Sequence, residues 1–151
     1  MPKKKITKAG IDPEYSQFLK KVEIYALGLD CLSAKVDREA FFLAHSESAP
    51  KATREIENHF KLIEFGEDHF DVRATFVLRV RNDEGEELLW IQAVYTAHFH
   101  TANKQVRQEN AERFARTEAR LVFWPYFRQV VADTTSRMYI RTITIPLTVK
   151  P

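Results

Sequence analysis

Two histidines are the first residues in this sequence whose spacing suggests chemistry. His98 and His100 lie two positions apart in an alternating segment, so both rings leave the same face of a strand. That spacing suits two ligands of a zinc ion. A third ligand could come from Glu64 or Asp71, but the sequence fixes neither of them. Two polar residues on a sheet surface explain the same spacing, so we expect no bound metal and no cofactor.

The candidate nucleophiles lack the sequence surroundings that catalysis requires. Cys31 has no histidine or basic cluster beside it that would favour the thiolate. None of the candidate serines lies at a strand–turn–helix junction with small neighbours; these are Ser33, Ser46, Ser48 and Ser136. The carboxylates are spread over turns and polar faces, with no pair that stands out for acid–base work. The sequence therefore favours a binding protein over an enzyme.

Length and composition indicate one globular domain. The chain has 151 residues, of which 44% are hydrophobic, enough for a substantial core. We expect a flexible basic arm at residues 1–11 and a single domain at residues 12–151. The net charge is only +2 and the charges are interleaved, so we expect no nucleic-acid partner. One cysteine, no signal peptide and no membrane-length apolar run lead us to expect a cytoplasmic protein.

Alternating apolar residues predict a meander of antiparallel strands. The clearest strand runs over 70–81, and a turn at 82–85 leads into the next strand, at about 89–99. Segment 59–65 is a further strand. Segment 22–36 is also a strand, with two possible apolar registers, which suits a strand buried on both faces by a second subunit. We predict an α+β fold: a four-stranded antiparallel β-sheet with helices packed on one face.

Helical patterns precede and follow these strands. Asp12, Pro13 and Glu14 supply a helix cap, a proline in the first turn and an acidic residue. Together they predict a short helix over 12–20. A polar helical pattern spans 103–117, and the main helix is expected at 118–137 with Pro125 inside it. Segment 38–56 lacks a strand pattern and predicts a long connection, a feature that is often functional in small domains.

The main helix carries more apolar surface than one sheet can cover. Its apolar residues occupy most of its circumference. We therefore predict that Phe123, Phe127 and Val131, or their near neighbours, bury against other copies of the chain.

The stretch 121–147 resembles the SecB chaperone family. That family carries a helix with a Phe-Pro-Tyr element, an arginine, a helix end of Thr/Ser-Arg type and a proline-marked apolar segment. The matching residues here are Trp124-Pro125-Tyr126, Arg128, Ser136-Arg137 and Ile145-Pro146-Leu147. The strand order and the Gly85-Glu86-Glu87 hairpin also fit, so that the resemblance covers roughly residues 20–147.

The resemblance implies an ATP-independent holdase that assembles as a homotetramer, a dimer of dimers. Such proteins bind unfolded or aggregation-prone polypeptides in hydrophobic grooves, either in protein export with the SecA motor or in toxin–antitoxin control. Export members present acidic residues to SecA on the outer sheet face. The expected outer face here carries instead Trp90, Gln92, Arg73, Arg79 and Arg81. We therefore expect an antitoxin as a partner rather than SecA.

Two apolar segments are predicted to bind these client polypeptides. They supply Phe41, Phe42 and Leu43 from the long connection and Tyr139, Ile140, Ile143, Ile145 and Leu147 from the C-terminal segment. In the structural alternative, the C-terminal segment is an ordinary strand that closes the core. The functional alternatives are a small-ligand-binding protein or enzyme with a hydrophobic cavity, and a nucleic-acid-binding module that uses the N-terminal lysines.

Overall fold

The computed structural model, which describes residues 12–45, 52–102 and 106–147, contains in these ranges four helices and four strands. In chain order they are α1 (Pro13–Lys21), β1 (Val22–Val36), α2 (Arg38–His45), β2 (Ala52–Phe65), β3 (His69–Asn82), β4 (Glu87–Thr101), α3 (Gln108–Thr117) and α4 (Ala119–Arg137). The strands form one antiparallel sheet in the order β1-β4-β3-β2, so β1 and β2 are its edges. The predicted four-stranded α+β fold is confirmed. The predicted arm, residues 1–11, lies outside the described residues.

The two central strands bury one face of the sheet. Because side chains alternate along a strand, Val77, Trp90 and Val94 lie on the outer face, whereas most apolar residues of β3 and β4 point to the inner face. These inner-face residues are Phe70, Val72, Ala74, Phe76, Leu78 and Val80 on β3 and Leu89, Ile91, Ala93, Tyr95, Ala97 and Phe99 on β4. Each is at most 2% exposed, so together they form the floor of the core.

The turn between β3 and β4 depends on Asn82 and Gly85. The side-chain oxygen of Asn82 accepts hydrogen bonds from the backbone N–H groups of Glu84 and Glu86, at 3.1 and 2.9 Å. Gly85 has a φ of 81°, a conformation that glycine adopts without steric cost. The turn thereby helps to fix the register in which the two strands align their apolar faces.

The main helix, α4, covers the middle of this floor with aromatic rings. Phe127 stacks on Phe76, with ring centroids 4.6 Å apart, and Phe123 contacts Tyr95 at 6.2 Å. The helix continues through Pro125, as predicted, and Pro125 lies on its exposed side. No helix in the described ranges is both long and apolar enough to cross a membrane.

The packing of α4 corrects the prediction made for its aromatic face. Phe123, Phe127 and Val131 have no exposed surface within the single chain. These side chains therefore have no area left to bury against another copy. The sheet floor is broad enough to cover these three side chains, so a contact of α4 with another copy is left to their near neighbours Leu121 and Tyr126, which are exposed.

The helices α1 and α3 close one end of the core. As predicted, Asp12 caps α1, since its carboxylate accepts a hydrogen bond from the N–H of Glu14 at 3.1 Å. Phe18 of α1 meets Phe114 of α3 edge to face, and both rings lie against Phe70 of β3. An aromatic cluster thus fills the space that α4 leaves open at this end.

The predicted long connection at 38–56 is wrong over most of its length. Residues Arg38–His45 form α2, and Asp37 caps it by accepting a hydrogen bond from the N–H of Ala40 at 3.1 Å. Strand β2 already begins at Ala52. Its inner face includes Arg54, whose charge interrupts the apolar alternation from which strands were predicted. Residues 46–51 lie outside the described residues.

The segment after α4 forms neither a helix nor a strand. Polar side chains of α4 hold it by its backbone. The indole Nε1 of Trp124 donates a hydrogen bond to the carbonyl of Pro146 at 3.0 Å, and Nε of Arg128 donates to the carbonyl of Ile145 at 2.8 Å. The segment therefore runs back along its own helix instead of pairing with the sheet.

A third bond places the side chains of this segment. The buried hydroxyl of Thr135 accepts a hydrogen bond from the N–H of Ile143 at 3.1 Å. Ile143 and Ile145 are buried, whereas Leu147 is 78% exposed. The segment closes the core as the structural alternative expected, but without being a strand.

We expect Ile143→Ala to destabilise the protein by about 2–4 kcal/mol, because it removes buried methyl groups and leaves a cavity. Leu147→Ala, in the same segment, should change the free energy of unfolding by less than about 0.5 kcal/mol. Urea unfolding of both variants at one fixed protein concentration provides the comparison. Equal effects of the two substitutions would show that the segment is not anchored as described.

The core also contains a polar atom without a partner. The hydroxyl of Tyr95 lies buried among the described residues with no hydrogen bond, and burial raises its pKa to about 12. The hydroxyl of Tyr15, by contrast, donates a hydrogen bond to the Glu118 carboxylate. The two hydroxyls should therefore contribute to stability with opposite sign.

We expect Tyr95→Phe to raise the free energy of unfolding by about 1 kcal/mol, because a buried hydroxyl without a partner is removed. Tyr15→Phe should lower it by about 0.5–1.5 kcal/mol, the net contribution of a typical hydrogen bond. Thermal unfolding measures both. A loss of stability in Tyr95→Phe would mean that its hydroxyl has a partner in solution.

Candidate functional site

The residues predicted to bind clients divide between the core and the surface. Four of them are at most 7% exposed: Phe41, Ile140, Ile143 and Ile145. The others are exposed: Phe42, Leu43, Tyr139 and Leu147. The prediction is corrected for the four buried residues. Their side chains already pack in the core and cannot meet a client without local unfolding. We call the exposed set the client surface.

The geometry of α2 explains how neighbouring apolar residues separate. Phe41 and His45 lie one helical turn apart, and their rings stack with centroids 4.1 Å apart. His45 Nδ1 also lies 2.8 Å from the carbonyl of Phe41. Phe41 therefore faces the core, while Phe42 and Leu43 are 50% and 69% exposed. Of these three adjacent apolar residues, one lies in the core and two lie on the surface.

A groove between β1 and α4 is a feature that the sequence pattern did not predict. Leu29 pairs with Tyr95 and Leu32 pairs with Ala93, so both leucines lie on the inner face of the sheet. They are nevertheless 43% exposed. The groove measures about 350 Å³ and is lined by Leu29, Leu32, Val130, Asp133, Thr134, Arg137 and Met138. We call it the β1–α4 groove.

Two irregularities in β1 explain why the sequence showed two apolar registers. The pairing with β4 shifts between Ile24 and Ala26 and again between Leu29 and Cys31. Each shift inserts an extra residue and so moves the following side chains to the other face. Ile24, Leu29 and Leu32 consequently share the inner face although their spacing in the sequence is irregular. The ambiguity was itself the signal that could have revealed the groove.

His69, His98 and His100 lie on the outer face of the sheet, and the first two are paired with carboxylates. His98 Nδ1 lies 2.7 Å from the carboxylate of Asp71, and His69 Nδ1 lies 3.0 Å from that of Asp68. The hydrogen bond with Asp68 raises the pKa of His69 and lowers the pKa of Asp68. In the described part of the chain, no three His, Cys, Asp or Glu side chains converge closely enough to hold a metal ion.

The remainder of the outer face carries cationic and aromatic residues. Register places Trp90 between Lys35 of β1 and Arg79 of β3 on this face. Arg81 forms a salt bridge with Glu55 of β2 at 3.2 Å. The tryptophan and arginines thus lie where the sequence predicted them, on the face opposite the one that carries Leu29 and Leu32.

Comparison with known proteins gives a family and a fold. The family model described as Preprotein translocase subunit SecB matches residues 21–145. Among solved structures, the Mycobacterium tuberculosis Rv1957 SecB-like chaperone, in complex with a ChAD peptide from the Rv1956 HigA1 antitoxin, superposes with a TM-score of 0.72. Its sequence is 20% identical, and the match covers 91% of this chain and 99% of that chain. No curated protein matches the sequence.

A second solved structure is more distant. It is a protein of unknown function from Streptococcus agalactiae, with a TM-score of 0.48 and 11% identity, covering 83% of this chain and 97% of that chain.

The family match begins at Lys21, just before β1, and ends at Ile145, whose carbonyl accepts the hydrogen bond from Arg128. It includes every strand of the described sheet and the main helix, so the chain belongs to the SecB family.

Proposed function

We propose that this protein is an ATP-independent chaperone of the cytoplasm that holds unfolded or aggregation-prone polypeptides. Membership of the SecB family supports a chaperone role. The observation that carries the proposal is the client surface, the four exposed apolar side chains Phe42, Leu43, Tyr139 and Leu147. Large apolar residues that extend into solvent from two separate segments are typical of a surface that binds other chains.

Burial of apolar surface is a suitable driving force for such binding. It stabilises a complex by about 25 cal/mol per Å² and does not require one particular partner sequence. The client surface lies on a short helix and on a segment without regular secondary structure, and neither is a strand of the sheet. An extended client can therefore exchange contacts along it, and no step of this binding requires ATP hydrolysis.

We infer that the chain assembles as a homotetramer, and that its first contact is at β1. This strand is 15 residues long and forms one edge of the sheet. A long edge strand with an exposed apolar face invites pairing with another chain. A second copy at this edge would cover Leu29 and Leu32, which line the β1 side of the β1–α4 groove. Leu121 and Tyr126, exposed on α4, are available for a further contact between dimers.

An antitoxin is the better supported client system. The solved relative from Mycobacterium tuberculosis is a SecB-like chaperone bound to an antitoxin peptide. Docking to SecA has less support. The export members that this chain resembles present acidic residues to SecA on the outer face of the sheet. Arg73, Arg79 and Trp90 lie on that face here. We therefore place this protein with the toxin–antitoxin branch rather than with export.

The client surface is tested with Phe42→Ser combined with Leu43→Ser. We expect this variant to lose most of its ability to suppress aggregation of an unfolded test protein, because two exposed apolar contacts become polar. Its melting temperature and molar mass should stay nearly unchanged. Phe41→Ser is the matched comparison, since Phe41 is buried and its loss should unfold α2 or the whole protein. Full suppression by the double variant would refute this client surface.

Assembly is tested with Leu29→Lys combined with Leu32→Lys. Inward-pointing lysines on an edge strand oppose pairing with a second chain, so we expect a smaller species by light scattering. Ile63→Lys, on the opposite edge strand β2, is the control and should leave the mass unchanged. A wild-type protein that is monomeric at micromolar concentration would contradict the proposed assembly.

A further inference from the structure

Tyr139 has an unfavourable backbone conformation. Its φ is 57°, and among the described residues no other non-glycine residue has a positive φ. The residue that follows a helix often adopts this left-handed conformation, but it is usually glycine, because a Cβ atom is crowded there. An aromatic residue in this conformation is rare enough to ask what its side chain does.

The turn itself does not require a side chain at this position. Two backbone hydrogen bonds form it: the N–H of Met138 donates to the carbonyl of Thr134 at 3.0 Å, and the N–H of Tyr139 donates to that of Ser136 at 3.2 Å. Ile140 is buried immediately afterwards. Glycine would make the same turn without strain. The turn therefore does not account for the tyrosine side chain.

The ring contributes little to the fold, and exposed arginines flank it in the sequence. Tyr139 is 82% exposed, the most exposed of the large hydrophobic residues described. Arg137 and Arg141, two positions before and after it, are also exposed. Within the described residues, neither guanidinium group forms a salt bridge. An aromatic ring flanked by two free cations favours a ligand that combines apolar and anionic groups.

We propose that Tyr139, with Arg137 and Arg141, recognises extended client segments in which an aromatic or aliphatic side chain lies next to a carboxylate. This inference rests on the proposed chaperone function and names the chemistry of the segments that it selects. The ring covers the apolar side chain, and a guanidinium group donates hydrogen bonds to the neighbouring carboxylate. The strained turn holds the ring away from the core, where a client can reach it.

The test uses two fluorescein-labelled twelve-residue peptides with one central tryptophan, flanked by aspartates in one and by lysines in the other. We expect the acidic peptide to bind the wild-type protein about tenfold more tightly at low salt, with a smaller difference at high salt. Tyr139→Gly should weaken binding of the acidic peptide by about tenfold, as for a central aromatic contact. Tyr139→Phe keeps the ring and should bind as the wild type does.

The same substitution should stabilise the fold. Relief of the strained conformation in Tyr139→Gly should raise the melting temperature by roughly 2–4 °C in a protein of this size. A structural residue would give the opposite result, so a lower melting temperature would overturn the inference. A change of molar mass in Tyr139→Gly would also overturn it, because the ring would then contact a second copy.

The outcomes separate this inference from the function on which it rests. If the wild-type protein neither binds the peptides nor suppresses aggregation of an unfolded test protein, the chaperone proposal itself fails. If it suppresses aggregation but Tyr139→Gly binds the acidic peptide as tightly as the wild type does, only the role of Tyr139 is refuted. Equal affinity of the wild type for the two peptides would refute the preference for a carboxylate.

Discussion

The structure depends on one constraint: a single helix cannot cover a four-stranded sheet. The aromatic face of α4 packs on the central strands, where Phe127 stacks on Phe76 and Phe123 meets Tyr95. Other elements must cover the rest. Helices α1 and α3 close one end with an aromatic cluster, while α2 and the C-terminal segment add further buried side chains. At β1 the cover ends, and Leu29 and Leu32 stay exposed although they face inward.

The same constraint gives the C-terminal segment its two roles. Side chains of Trp124, Arg128 and Thr135 bind its backbone. Because the backbone is held, the side chains alternate between the core and solvent without a strand partner. Ile143 and Ile145 become part of the fold, and Tyr139 and Leu147 remain on the surface. A segment that completes the core thus also exposes apolar groups to solvent.

Sequence patterns predicted the elements whose neighbours are uniform. Strands β3 and β4 show a clear alternation because one face of each is wholly buried, and the Asn82–Gly85 turn between them has recognisable chemistry. The register of β1 was unresolved because two irregularities in its pairing shift the alternation. The start of β2 was missed because Arg54 lies on its inner face.

The site was harder to predict than the fold. The residue type does not show whether an apolar side chain lies in the core or on the surface. Phe41 and Phe42 differ only in the face of α2 on which they lie. The burial of Phe123, Phe127 and Val131 within one chain likewise depends on the width of the sheet, which hydrophobicity alone does not reveal. The positive φ of Tyr139 left no trace in the sequence, because tyrosine is not a residue that predicts it.

We propose that the apolar surface left uncovered by α4 serves two purposes, assembly at β1 and client binding at α2 and the C-terminal segment. Amide hydrogen exchange with and without a permanently unfolded polypeptide tests it most directly. The account predicts that the amides of β1 exchange slowly in the protein alone, and that the polypeptide slows exchange in α2 and at residues 138–147. Protection by the polypeptide confined to the outer face of the sheet, with α2 and residues 138–147 unchanged, would contradict it.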